Sequence, residues 1–230
     1  MKRAILDELR RARAEKRPAV LLKNLKSHNQ TLVYLSDIND LSSDLCDPAS
    51  AALRADRSTV VETDEGPVFI QVFNPPLRMI VVGAVHIAQA LAPMAALAGY
   101  AVTVVDPRTS FASAARFPGL DVDTAWPDDA LTALAPDHRT AVVTLSHDPK
   151  LDDPALTVAL RSDCFYIGSL GSKKTHAARL TRLTEAGFTA DDFSRIHGPI
   201  GLDIGAKTPA EIAVAVMAEI TVALRRGPQA

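Results

Sequence analysis

The chain has 230 residues, a formal net charge of −2 at pH 7, 47% hydrophobic and 23% charged residues. That is the composition of a soluble globular protein, long enough for one large domain or for an ordinary domain with a small one. The near-neutral balance leaves no electrostatic footprint for nucleic acid. No apolar run approaches the roughly 20 residues of a membrane helix, and "MKRAILDELRRARAEKRP" lacks the apolar core of a secretory signal. A cytoplasmic protein is expected. Cys46 and Cys164 are too few for a metal cluster or a disulfide scaffold.

Residues 3–15 predict an amphipathic helix with Ile5, Leu6, Leu9 and Ala12 on one side. "PAVLLKNL" and "QTLVYLSD" predict two strands joined through Ser27, His28 and Asn29. A polar stretch, "DINDLSSDLCDP", precedes a short helix expected near Ala51–Asp56. "STVVETDEGPVFIQVF" predicts a hairpin turning at Asp64, Glu65 and Gly66. Asn74-Pro75-Pro76 then breaks any strand, because proline lacks the donor and restricts the residue before it. Residues 1–76 are thus expected to form a small α+β unit, with little core of its own, and residues 77–230 a second domain.

Beyond Leu77, strands and helices alternate. Strands are predicted at Met79–Val82, Ala101–Val105, Asp121–Thr124, Thr140–Thr144, Cys164–Ile167 and Arg195–His197. Helices are predicted near His86–Ala98, Asp128–Ala135, Pro154–Leu160, Ser172–Ala186 and Thr208–Arg225. This order argues a Rossmann-like α/β fold, a doubly wound parallel sheet.

The glycine fingerprint of such folds is broken here: Gly83, Val85 and Ala88 stand where G-x-G-x-x-G is expected. Gly83 keeps the tight turn and Ala88 can still pack helix on strand, but Val85 puts a branched side chain where pyrophosphate would approach. Asp106 ends the second strand, where an acid would bind a ribose hydroxyl, with Arg108 two residues on. His86 opens the first helix beside the crevice. After the fourth strand, His147 and Asp148 are expected at the crevice rim, while Asp152 and Asp153 before Pro154 read as helix caps.

"GSLGSKKTH" brings Gly168, Ser169, Gly171, Ser172 and Lys173 to a helix start, an anion seat in place of the one lost at Val85. A Ser172 cap with solvated lysines is the plainer alternative. "RIHGPIGLDIGAKTPAEIAVAV" holds His197, flexible glycines at Gly198, Gly201 and Gly205, and Asp203 between Leu202 and Ile204. Asp203 in that apolar setting is hard to explain as solvated surface. Thr208-Pro209-x-Glu211 reads as a capping box. From the residues, three uses stay open. One is a cofactor-binding chaperone without turnover. Another is an NAD(P)-dependent oxidoreductase with Asp106 on the ribose and His147 or His86 as acid/base. The third is a nucleotide-binding regulatory module.

The segments "VVGAVHIAQALAPMA", "VTVVDPR", "SHDPKLDDPAL", "FYIGSLGSKKTHAARL" and "RIHGPIGLDIGAKTPAEIAV" together resemble the XdhC/CoxI family, accessory proteins of molybdenum hydroxylase maturation. The resemblance implies a Rossmann domain that binds molybdenum cofactor, as molybdopterin or its dinucleotide form. It implies help with sulfuration by a cysteine desulfurase, and delivery to an apo molybdenum hydroxylase of the xanthine dehydrogenase or CO dehydrogenase type. It also implies a homodimer. Relatives carry a glycine-rich, cysteine-containing N-terminal segment. Cys46 in "SSDLCDP" has no glycine neighbours and reads as an ordinary thiol, and Cys164 as a buried one.

Overall fold

Val20 and Leu22, then Val68 and Ile70, recur at two-residue spacing, and the first unit is built around the sheet that buries them. A computed structural model describes residues 3–226, and the chain divides into units Met1–Pro75 and Pro76–Ala230. The first runs α1 (Arg3–Ala14), β1 (Ala19–Asn24), β2 (Gln30–Tyr34), a 3-10 turn, α2 (Ser43–Ala55), β3 (Thr59–Val61) and β4 (Val68–Phe73). Its antiparallel sheet has the order β2-β1-β4-β3. Ile5 and Leu9 of α1 cluster with Leu21, while Ala49, Ala52 and Leu53 of α2 join the Val20 and Leu22 cluster. The hairpin turns at Gly66 with φ +106°. The α2 helix begins at Ser43, not near Ala51. Its three- and four-residue apolar spacing sets the buried stripe, and Asp44 in its first turn suits the positive end of the helix.

The second unit runs β5 (Leu77–Val82), α3 (His86–Leu97), β6 (Tyr100–Val105), β7 (Asp121–Asp123), α4 (Pro127–Leu134), β8 (Thr140–Thr144), α5 (Pro149–Leu160), β9 (Tyr166–Ser169), α6 (Lys173–Glu185), α7 (Ala190–Phe193), β10 (Ile196–His197) and α8 (Pro209–Arg226). Every strand pair is parallel, in the order β10-β9-β8-β5-β6-β7. This is the Rossmann-like doubly wound sheet expected from the sequence. Central strands covered on both faces read as unbroken apolar runs. Met79 and Val81 of β5 meet Ala88, Leu91 and Ala92 of α3 and Val216 of α8, while Ile80 and Val82 meet Leu131, Leu156 and Leu183 from α4, α5 and α6. The chain leaves β5 toward β6 and later returns to β8 on its other side. The crevice of such a sheet lies outside the carboxyl ends at that reversal.

Of the boundaries that differ from expectation, two bear on the site. Helix α5 starts at Pro149, five residues early, because Asp148 is its N-cap and accepts the Lys150 amide at 3.0 Å. Pro154 lies inside the helix, and Asp152, read as a cap, is buried. Strand β9 is displaced two residues, so Gly168 and Ser169 lie within it.

Candidate functional site

Gly83 follows β5 with φ +103°, and a Cβ there would stand 2.8 Å from the Ser146 amide nitrogen. Glycine is what lets the turns after β5 and β8 touch at the reversal point. The next amide, Ala84 N–H, donates to Asp106 Oδ2 at 2.8 Å. Asp106, fully buried, also accepts from Arg108: the backbone N–H at 3.0 Å and Nε at 2.9 Å on Oδ1, and Nη2 at 2.8 Å on Oδ2. Burial pushes this carboxyl up, but the Arg108 guanidinium and the two amides outweigh it and hold it below the usual range. The Asp106 bonds raise Arg108 further, and the charges of Asp148 and Asp152 add to this. Val85 is the half-buried N-cap of α3, and His86 beside it is exposed.

Across the reversal, Ser146 donates its hydroxyl to Asp152 Oδ1 at 2.6 Å and receives the Asp148 amide at 3.1 Å. His147 is exposed with φ +62°. Ser169, placed by its sequence in the anion turn, is instead wholly buried, its hydroxyl 2.5 Å from that of Thr144. Gly168 is also buried, with Ile200 and Tyr166 filling the space of any Cβ. The turn open to solvent is therefore Leu170–Lys173. Ser172 caps α6 by accepting the Thr175 amide at 3.1 Å, the plainer alternative of the sequence reading, and Lys173 and Lys174 are exposed in a first turn without an acid. Arg179, two helical turns on, is buried and donates from Nη2 to the Leu170 carbonyl at 2.8 Å. Sequence reasoning does not find it.

His197 gathers elsewhere. Its ring stacks on Tyr166 at 4.5 Å between centroids, and its Nδ1 lies 3.3 Å from Glu219 Oε1 on α8. Glu219 Oε2 also accepts the Tyr166 hydroxyl at 2.5 Å and the Gly201 amide at 2.8 Å. Burial pushes Glu219 up, but its bonds to His197, Tyr166 and Gly201 prevail and hold it low. Sequence reasoning misses Glu219 too, though an acid inside "AVMAEITVAL" is a signal. Asp203 is exposed, and its neighbours Leu202 and Ile204 are 38% and 55% exposed, so the loop is solvated, contrary to expectation. Glu211 and Thr208 form the expected capping box. The described residues hold no group of His, Cys, Asp and Glu able to bind a metal ion, and no helix long and apolar enough to cross a membrane. Cys46 is half-buried and Cys164 buried, both as free thiols, and burial pushes the Cys164 thiol up.

The lowered carboxyls set an acid limit. A carboxyl with a lowered folded pKa stabilises fully above its unfolded value, about 4. That contribution is lost as pH falls through the lower folded value. Thermal melts should thus hold their midpoint near neutrality and drop below about pH 4 as Asp106 and Glu219 protonate. Asp152, raised by burial against the pull of Ser146 and Arg179, acts in the opposite sense and blunts the drop. A midpoint that does not fall between about pH 5 and the acid limit would contradict these assignments.

Residues 79–220 match the family model of the XdhC Rossmann domain. The chain is 32% identical over 148 residues to the molybdenum cofactor insertion chaperone PaoD of Escherichia coli, covering 64% of this chain and 40% of that protein. It is 35% identical over 154 residues to a probable xanthine dehydrogenase subunit of Bacillus subtilis, covering 66% and 44%. It is 31% identical over 157 residues to the uncharacterized protein YqeB of Escherichia coli, covering 66% and 28%. The chain thus spans less than half the length of these curated relatives. A crystal structure described as a xanthine dehydrogenase from Bacillus halodurans shares the fold at TM-score 0.72 and 23% identity, over 97% of this chain and 67% of that one. On the match to the Rossmann-domain model, the chain belongs to the XdhC family.

Proposed function

We propose that the second unit binds molybdenum cofactor at the reversal crevice and delivers it to an apo molybdenum hydroxylase of the xanthine dehydrogenase or CO dehydrogenase type. The observation that carries this reading is the internal use of Asp106. Both its oxygens and the Ala84 amide are committed to each other and to Arg108. In a dinucleotide site these groups would serve ribose and pyrophosphate. What stays open is the Leu170–Lys173 turn at the start of α6. Its amides from Gly171 onward (the Leu170 amide is bonded to Thr144 O), the helix dipole, and Lys173 and Lys174 in a first turn without an acid favour an anion. The terminal phosphate of a pterin cofactor fits that chemistry, and the relative named as an insertion chaperone supports the assignment. Gly171, Ser172 and Lys173 would hold the phosphate. Arg108, His86, His147 and Asp148 lie on the turns that would face the pterin. The cofactor's chemistry belongs to the recipient enzyme, and this chain's residues bind and orient. Sulfuration by a cysteine desulfurase and a homodimeric state belong to the same proposal.

Competition calorimetry with molybdopterin and NAD(P)H is the test. Molybdopterin should bind and NAD(P)H should not displace it. Tight NAD(P)H binding with hydride transfer to a small substrate would move the chain to the oxidoreductase reading. Lys173→Glu should weaken molybdopterin binding about tenfold, because an exposed charge-assisted contact becomes a repulsion. A folded variant with unchanged affinity would remove this turn from the site.

A further inference from the structure

Arg179 and Asp152 are each only 1% exposed and face each other across the interior, Nη2 to Oδ2, at 3.9 Å. That is too long for a hydrogen bond. Arg179 Nε and Asp152 Oδ2 find no hydrogen-bond partner among the described residues. Buried charged groups are ordinarily satisfied, so a half-made pair calls for a reason beyond packing.

Its connections supply one. Arg179 reaches back along α6, as long helical side chains do, and grips the Leu170 carbonyl. A Cβ on Gly171 would lie 3.7 Å from Arg179 Nη2, so the guanidinium sits directly beneath the turn. Nη1 lies 3.4 Å from His176 Nδ1. On the other side, Asp152 Oδ1 takes both the hydroxyl and the amide of Ser146, at 2.6 and 3.3 Å. Ser146 abuts Gly83. One chain of contacts thus runs from the β9–α6 turn through the charged pair to the turns after β8 and β5.

We propose that Asp152 and Arg179 act as one positioning unit for the anion seat, tying the β9–α6 turn to the β8–α5 turn so that a phosphate group is held by a fixed set of donors. This rests on the reading of Leu170–Lys173 as that seat. The planar guanidinium is needed because its Nη2 serves Leu170 and faces Asp152 at once while Nη1 lies beside His176, so one rigid fork fixes all three. Lysine at 179 keeps the charge but offers a single nitrogen, and asparagine at 152 keeps the shape and the Ser146 acceptor but loses the charge.

The experiment measures binding of inorganic pyrophosphate to the full chain by calorimetry, for wild type, Arg179→Lys, Asp152→Asn and the double variant, with melts to confirm folding. Wild type should bind. Arg179→Lys should lose about tenfold in affinity, Asp152→Asn about threefold, and the double variant no more than Arg179→Lys alone, since members of one unit are not additive. Amide exchange at Gly171 should quicken in both single variants. If Arg179→Lys does not fold, Asp152→Asn and its exchange at Gly171 decide alone. Folded variants with wild-type affinity, or losses that add, overturn the positioning unit. Absence of pyrophosphate binding in wild type overturns the seat itself.

Discussion

Alanine at Gly83 is expected to destabilise the second unit by about 2–5 kcal/mol, combining backbone strain of about 1–2 kcal/mol with overpacking of about 1–3 kcal/mol. The strain arises at φ +103°, and the overpacking from a Cβ 2.8 Å from the Ser146 nitrogen and 3.0 Å from its Cα. Ser146 has little freedom to retreat. Its hydroxyl is held by Asp152, and the preceding amide, Leu145 N–H, donates to Val82 O at 2.8 Å. Gly99 supplies the control. Its φ is +91°, yet a Cβ there meets nothing within 4 Å. Alanine at Gly99 should therefore cost only the conformational part, about 1–2 kcal/mol. Urea melts of both variants test the difference. Equal losses would mean that the approach of the β5 and β8 turns contributes nothing, and the Rossmann glycine would be serving its dihedral alone.

The sheet is legible in the sequence because its central strands advertise themselves. Thr140–Thr144 is an apolar run ended by threonines, and its bounds match the observed strand. Helix α6 is legible through Ser172, whose cap is a local event between neighbours. Where expectation and structure part, a tertiary contact decides the matter. A short apolar run such as the one in "SDCFYIGS" has no period that fixes its register; here the buried Thr144–Ser169 hydroxyl pair draws β9 two residues onward. Asp152 sits in a sequence that suits a cap, Asp-Asp-Pro, and only the fold shows it turned inward to Ser146. Nothing in "HAARLTRL" separates buried Arg179 from Arg182, which pairs with Asp153 at the surface. The site's rim can be read from strand order, while its support depends on side chains far apart in sequence.

Asp106 separates the two principal uses of the fold most sharply. In a dinucleotide site the acid at the end of the second strand serves the ligand, so its replacement should spare stability and weaken NAD(P)H binding. Here it serves the protein, closing the Ala84 turn and clamping Arg108 through two guanidinium nitrogens. Asp106→Asn keeps the shape but turns an amide N–H2 toward one set of donors and strands the guanidinium. Breaking a buried charged pair from one side costs about 3–5 kcal/mol. Arg108 is 36% exposed and can find water, which places the expected loss near the lower bound, about 3 kcal/mol. Arg108→Gln in the same chain removes the stranded charge and should restore part of that loss. A double-mutant cycle by urea denaturation should therefore give a coupling above about 1 kcal/mol. A stable Asp106→Asn protein with no coupling to Arg108, and with a measurable fall in NAD(P)H affinity from wild type, would return Asp106 to the ribose and the crevice to a nicotinamide.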